Sequence, residues 1–153
     1  MRRTDREIRD EDELFEVLEK CDVLRIALNS DSYPYIVPLS FGIDLEGKRP
    51  YLYVHGAKEG MRHDLMAQDW RLGFEADRFE RYIETPGGIS CIYESIVGFG
   101  RAEAVTGEEA RHGLDVILKH CGYADYRCPV GVEEHTSVWR ITISQMTGKR
   151  RSK

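Results

Sequence analysis

Cysteine is scarce and carries no ligand pattern. Cys21, Cys91, Cys121 and Cys128 contain no C-x-x-C pair, so neither a disulfide framework nor a redox dithiol is indicated. His112, His120, Cys121 and Cys128 are the only grouping that suggests zinc, and they reproduce neither structural nor catalytic spacing, so no metal is expected. No apolar run approaches the roughly 20 residues of a membrane span. Met1-Arg2-Arg3 leads into charged residues rather than the apolar core of a secretory signal, which points to the cytoplasm and reduced thiols. Positive charge is not in excess. The formal net charge of -5 argues against a general nucleic-acid binder, and the basic end (Lys149, Arg150, Arg151, Lys153) reads as a solvated tail. Internal repeats and low-complexity tracts are absent, as are a general-base pair and a nucleophile–histidine arrangement.

With 153 residues, 41% hydrophobic and 32% charged, the chain can bury a core of its own, and residues 1–153 read as one domain. Asp10 is placed to cap a helix over 11–21, with Leu14, Leu18 and Cys21 on one face. Residues 23–28 are β-like, and Asn29-Ser30-Asp31-Ser32 is a dense turn signal. Tyr35, Val37, Leu39, Phe41 and Ile43 alternate as one strand. Pro38 within it cannot donate to a ladder, which implies an edge or a distortion. Glu46-Gly47-Lys48 turns into a strand over 51–55. Beyond a second helix, Leu72, Phe74 and Ala76 alternate again, 80–88 reads as a charged, Gly-rich connection, and a long strand spans 90–105. Thr106 opens a third helix that Gly122 is placed to end, and 138–143 gives the last strand. About six strands pairing with sequential neighbours disfavour a doubly wound parallel sheet. The expected fold is mainly β: a small antiparallel barrel with peripheral helices.

The richest segment runs from Tyr51 to Asp69, a strand passing through a Gly-containing turn into an amphipathic helix. His55 closes the strand on the same face as Tyr53. Lys58, Gly60 and Arg62 occupy the turn and first helical turn, where free N–H groups and the helix dipole favour an anion. A phosphate grip beside an aromatic and imidazole wall suggests a phosphorylated planar cofactor. Tyr51, Tyr53, Tyr93 and Phe41 read as core or interface aromatics, and Trp70 and Trp139 as packing residues. His63 and Asp64 are expected to face solvent, and His112 and His120 carry no particular signal.

Further motifs, taken in order, carry a resemblance. They are Met1-Arg2-Arg3 with Asp5-Arg6-Glu7-Ile8, Pro34-Tyr35-Ile36-Val37-Pro38-Leu39-Ser40-Phe41-Gly42, and Tyr53-Val54-His55-Gly56-Ala57 with Glu59-Gly60. Phe74-Glu75, the run from Tyr93-Glu94-Ser95 through Gly100-Arg101-Ala102, and Met146-Thr147-Gly148-Lys149 follow. The chain resembles the flavin-binding split-barrel superfamily that includes pyridoxamine 5'-phosphate oxidase, and within it the 5-nitroimidazole-resistance (Nim) type proteins. The resemblance implies a homodimer with FMN at the subunit interface. Val37, Pro38, Leu39 and Ser40 would border the flavin ring, and His55, Gly56, Ala57 and Lys58 would line ring and ribityl chain. Gly60 and Arg62 would hold the phosphate. Glu94, Ser95 and Val97 would complete the pocket from the partner subunit. Many relatives have Lys where this chain has Arg62, which keeps the charge and adds a bidentate fork. The implied activity is that of an FMN-dependent oxidoreductase passing electrons to a small organic acceptor, such as a nitroaromatic, with His55 as the substrate-side residue. The alternative is a non-catalytic flavin- or haem-binding split-barrel protein serving as a sensor or carrier.

Overall fold

The computed structural model describes residues 4–47 and 49–152. Met1-Arg2-Arg3, Lys48 and Lys153, named above in a motif, a turn and the basic end, lie outside the described residues. The elements are β1 (Glu7–Ile8), α1 (Glu11–Glu19), β2 (Leu24–Leu28), β3 (Tyr35–Leu39), β4 (Phe41–Asp44) and β5 (Tyr51–Gly56). They continue with α2 (Met61–Gln68), β6 (Arg71–Thr85), β7 (Gly88–Val105), α3 (Gly107–His120), α4 (Val132–His135) and β8 (Ser137–Arg151). No helix among the described residues is long and apolar enough to cross a membrane.

All strand pairs are antiparallel. The strand order is β3-β2-β6-β7-β8-β5-β4, with β1 beside β8. β3 and β4 end this order, yet only Ser40 separates them in sequence. A single residue can join the two ends only if the sheet curls until they approach, which gives an antiparallel half-barrel. The single strand expected over 35–43 is therefore two, broken at Ser40. Pro38 sits where its missing N–H is tolerated, because β3 is an outermost strand.

The curl encloses Leu24, Ile26, Phe41, Leu52, Phe74, Ile96 and Ile141, and α1 covers it with Leu14, Phe15, Val17 and Leu18. Asp10 caps α1 as expected, its carboxylate accepting from the N–H groups of Asp12 (2.9 Å) and Glu13 (3.2 Å). The helix ends at Glu19, two residues before the expected 21. A second cluster under α3 joins Tyr53, Val105, Leu114, Ile117 and Val138. α3 closes as expected at Gly122, whose φ is +85.

Three stretches differ from the sequence reading. Residues 80–88 form an arm of β6 and β7, turning at Pro86-Gly87, rather than a loose connection. Its strands satisfy each other's backbone groups, so a charged, exposed composition does not prevent pairing. The short helix α4 has no counterpart in the expected elements, since four residues carry no periodicity to read. The basic end is not a free tail: β8 runs through Arg151, and Arg150 bonds Glu94 Oε1 and Glu13 Oε2, both at 2.6 Å.

Candidate functional site

β5 delivers His55 and Gly56 into the turn before α2. Gly60 is the helix N-cap at φ +100, a conformation that glycine adopts without strain, and no side chain caps the first turn. The N–H groups at this end of α2 are thus left for an external acceptor. Arg62 folds back across Gly56, where a Cβ would lie 2.8 Å from its Cζ and overlap the guanidinium. Nη1 donates to the His55 carbonyl (3.4 Å) and Nη2 to the Ala57 carbonyl (3.2 Å). No carboxylate among the described residues pairs with it. Burial pulls its pKa below the ordinary guanidinium value, with Tyr35 on β3 partly opposing that shift. A half-buried cation bonded only to carbonyls, beside an uncapped helix N-terminus, is electrostatically incomplete without an anion.

The half-buried imidazole of His55 is held below its usual pKa by desolvation first and by the Arg62 charge second. Its folded-state pKa lies below the unfolded value of about 6.5, so its contribution to stability is intact above that pH and is lost as pH falls through the depressed value. An anion on Arg62 cancels part of the guanidinium field. The imidazole midpoint is therefore expected below about 6.5 in free protein and to rise when inorganic phosphate binds. An NMR titration of the His55 ring protons checks this, and a midpoint unmoved by phosphate contradicts it.

The β4–β5 ladder ends at Phe41↔Val54, one residue short of Ser40 and His55, so the β3–β4 corner stands beside His55. Two of the sequence-derived groups, Val37–Ser40 and His55–Arg62, therefore come together. Within the first, Val37 and Leu39 are half-buried with their side chains packed on the core, while Pro38 and Ser40 are exposed. Lys58 points elsewhere, its Nζ donating to the Glu134 carbonyl of α4. Glu94, Ser95 and Val97 are not at this place. His55 pairs with Val138, and Val138 with Val105, eight residues along β7 from Val97. At the rise of an extended strand that separation is about 26 Å.

The surrounding aromatics and histidines sort differently from the sequence reading. Tyr53 (2% exposed) and Trp139 (4%) are core, but Trp70 is 48% exposed rather than packed. Asp64 is exposed as expected, but His63 is half-buried and bonded. Its Nδ1 meets Ser137 Oγ (3.2 Å), which also accepts from Trp139 Nε1 (2.7 Å), and its ring stands edge-on to Trp139. Ser137 thereby ties α2 to β8 one residue from Arg62. No local sequence signal marks it, because its partners come from distant elements. His112 pairs with Asp44 (2.6 Å), and His120 bonds the Cys21 carbonyl (2.8 Å), so both brace α3.

Comparison with known proteins places this geometry. No curated protein matches the chain by sequence. Among solved structures, a candidate 5-nitroimidazole antibiotic resistance protein from Bacteroides thetaiotaomicron superposes with a TM-score of 0.82 at 23% identity, covering 94% of this chain and 85% of that one. The FAD and haem binding protein of Mycobacterium smegmatis matches with a TM-score of 0.82 at 18% identity, covering 97% and 74%. A FAD-binding protein from Mesorhizobium loti gives 0.69 at 23%, covering 94% and 96%. At these identities the likeness concerns the fold. The family model described as pyridoxamine 5'-phosphate oxidase matches residues 10–150. The curled antiparallel sheet, with its β3–β4 corner set against the strand-turn-helix of Arg62, is a split barrel, and the chain belongs to the pyridoxamine 5'-phosphate oxidase family.

Proposed function

We propose that the chain is an FMN-dependent oxidoreductase that passes electrons from a reduced donor to a small organic acceptor. The observation that carries the reading is Arg62, a half-buried guanidinium bonded only to the carbonyls of His55 and Ala57 at an uncapped helix N-terminus. That arrangement suits a phosphate, which accepts from the fork of Arg62 and from the N–H groups of α2. FMN, when bound, supplies the redox chemistry, and the protein's part is to bind, orient and desolvate it. Arg62 neutralises the phosphate, and the backbone of Val37–Ser40 borders the ring beside His55. The neutral imidazole of His55 holds or moves a proton at a ring nitrogen on the substrate side. A second copy of the chain brings Glu94, Ser95 and Val97 to the pocket, which agrees with their distance from His55 within one chain. The assembly is then a homodimer of single-domain subunits acting in the cytoplasm.

A second reading, a flavin- or haem-binding carrier, draws on the Mycobacterium smegmatis relative, whose name includes both FAD and haem. Absorbance spectroscopy separates the two. The purified protein is expected to show the flavin bands. NADH or NADPH under anaerobic conditions is expected to bleach them, and a nitroaromatic acceptor to restore them. His55→Ala should slow that reoxidation by about a hundredfold, within the usual range for losing a proton donor, while flavin binding changes little. Flavin bands that no donor bleaches would favour the carrier, and a Soret band would favour haem.

A further inference from the structure

On the outer face of the sheet, lined by neither His55 nor Arg62, a groove of about 500 Å³ opens between the start of β6 and the second half of β7. Three features distinguish it. Its floor is small: Ala27 and Gly73 stand side by side on β2 and β6, with Phe99 of β7 along the edge. A Cβ at Gly73 would meet its nearest atoms at 3.8–4.0 Å, ordinary contact, so nothing within the chain requires glycine there. The missing side chain leaves space above the sheet.

Its wall is Trp70, 48% exposed, with the Arg101 guanidinium over the ring at 4.6 Å and that of Arg71 at 5.9 Å. Finally, one of its two charges has no carboxylate partner among the described residues. Arg71 and Arg101 are direct cross-strand partners, a like-charge pairing that costs stability. Asp69 answers Arg71, binding Nε at 2.9 Å and Nη2 at 2.7 Å, and its remaining capacity goes to the side chain of Asn29 (2.9 Å). Arg101 has no carboxylate partner among the described residues; its interaction is with the Trp70 face.

We propose that this groove binds a planar aromatic anion, with the ring between the Gly73 floor and Trp70 and the anionic group on Arg101. An uncountered guanidinium at the rim of an apolar slot calls for a ligand carrying both parts, because a neutral aromatic leaves the cation unanswered and a bare anion leaves the slot unfilled. None of the residues named for the flavin site lines the groove, and Val97 stands two positions from Phe99 on the same face of β7.

The test uses 2-naphthoate as the probe, with calorimetry for affinity and NMR of the two tryptophan indole N–H signals for location. Saturable binding should move the Trp70 signal and leave that of buried Trp139 in place. Arg101→Gln should weaken binding about tenfold, the usual scale for one charge-assisted hydrogen bond. The uncharged isostere 2-naphthamide should bind the unmodified protein about as weakly. Gly73→Leu, which fills the floor, should abolish binding while far-UV circular dichroism and the thermal midpoint stay near those of the parent. Equal affinity for the amide and the carboxylate, or binding retained in Gly73→Leu, would overturn the proposal. So would the absence of any saturable shift, the result expected where a second copy covers this face.

Discussion

Arg62→Ala is expected to weaken FMN binding by about a hundredfold. Hydrogen bonds to charged groups contribute about 1.5–3 kcal/mol each, and about 1.4 kcal/mol is a factor of ten, so losing one bidentate phosphate contact accounts for the effect. Some affinity should persist, because the N–H groups of α2 remain and Gly60 leaves them uncapped. The same substitution should cost the ligand-free protein little. It removes a half-buried cation that has carbonyl partners but no carboxylate, and frees the space over Gly56. A side chain kept for folding would show the reverse: urea unfolding would shift and FMN affinity would not. Calorimetry with FMN and urea unfolding of the ligand-free protein together separate the two outcomes.

Phe74→Ala is expected to lower stability by about 3–5 kcal/mol, the usual cost of truncating a buried phenylalanine. The ring is 2% exposed and lies against Gly98 of β7, where a Cβ would stand 2.7 Å from Phe74 Cε1 and 2.7 Å from the Gln145 carbonyl oxygen. The backbone at Gly98 is therefore pressed between ring and strand, and relaxation into the vacated space is limited on the Gln145 side. Since β6 and β7 form the longest ladder of the sheet, the loss should be global rather than local. Urea unfolding measures it, and a change below about 1.5 kcal/mol would mean that the site collapses around the missing ring.

Much of this fold is legible in the amino-acid sequence. Asp10 marks the start of α1 because a carboxylate at that position satisfies free N–H groups locally. Pro38 marks an edge or a distortion because a missing donor is not tolerated inside a regular ladder, and β3 is an outermost strand. Tyr51–Asp69 reads as strand, turn and helix, and folds that way, since each element follows from short-range spacing. What the sequence hides depends on distant partners. The arm over 80–88 is polar because it is exposed, and composition alone gives it the look of a loop. Arg150 resembles tail charge until β8 carries it to Glu94 and Glu13. Trp70 suggests packing because tryptophan usually packs, whereas β6 begins directly after it and leaves the ring on the surface beside Arg101.

The candidate site divides along the same line. Ser40, His55, Gly56 and Arg62 share one corner because the β3–β4 break and the turn after β5 are both local. The separation of Glu94, Ser95 and Val97 from that corner follows from strand register, which no single segment encodes. Lys58 is drawn away by α4, whose carbonyl it reaches.

A phosphate held by Arg62 and the start of α2 is the centre of the functional reading, and the affinity ratio of FMN to riboflavin tests it directly. The two ligands share ring and ribityl chain and differ only in the phosphate. Calorimetry is expected to show FMN binding about a hundredfold more tightly than riboflavin, with the ratio falling toward one in Arg62→Ala. Equal affinity of the unmodified protein for both ligands would contradict that reading.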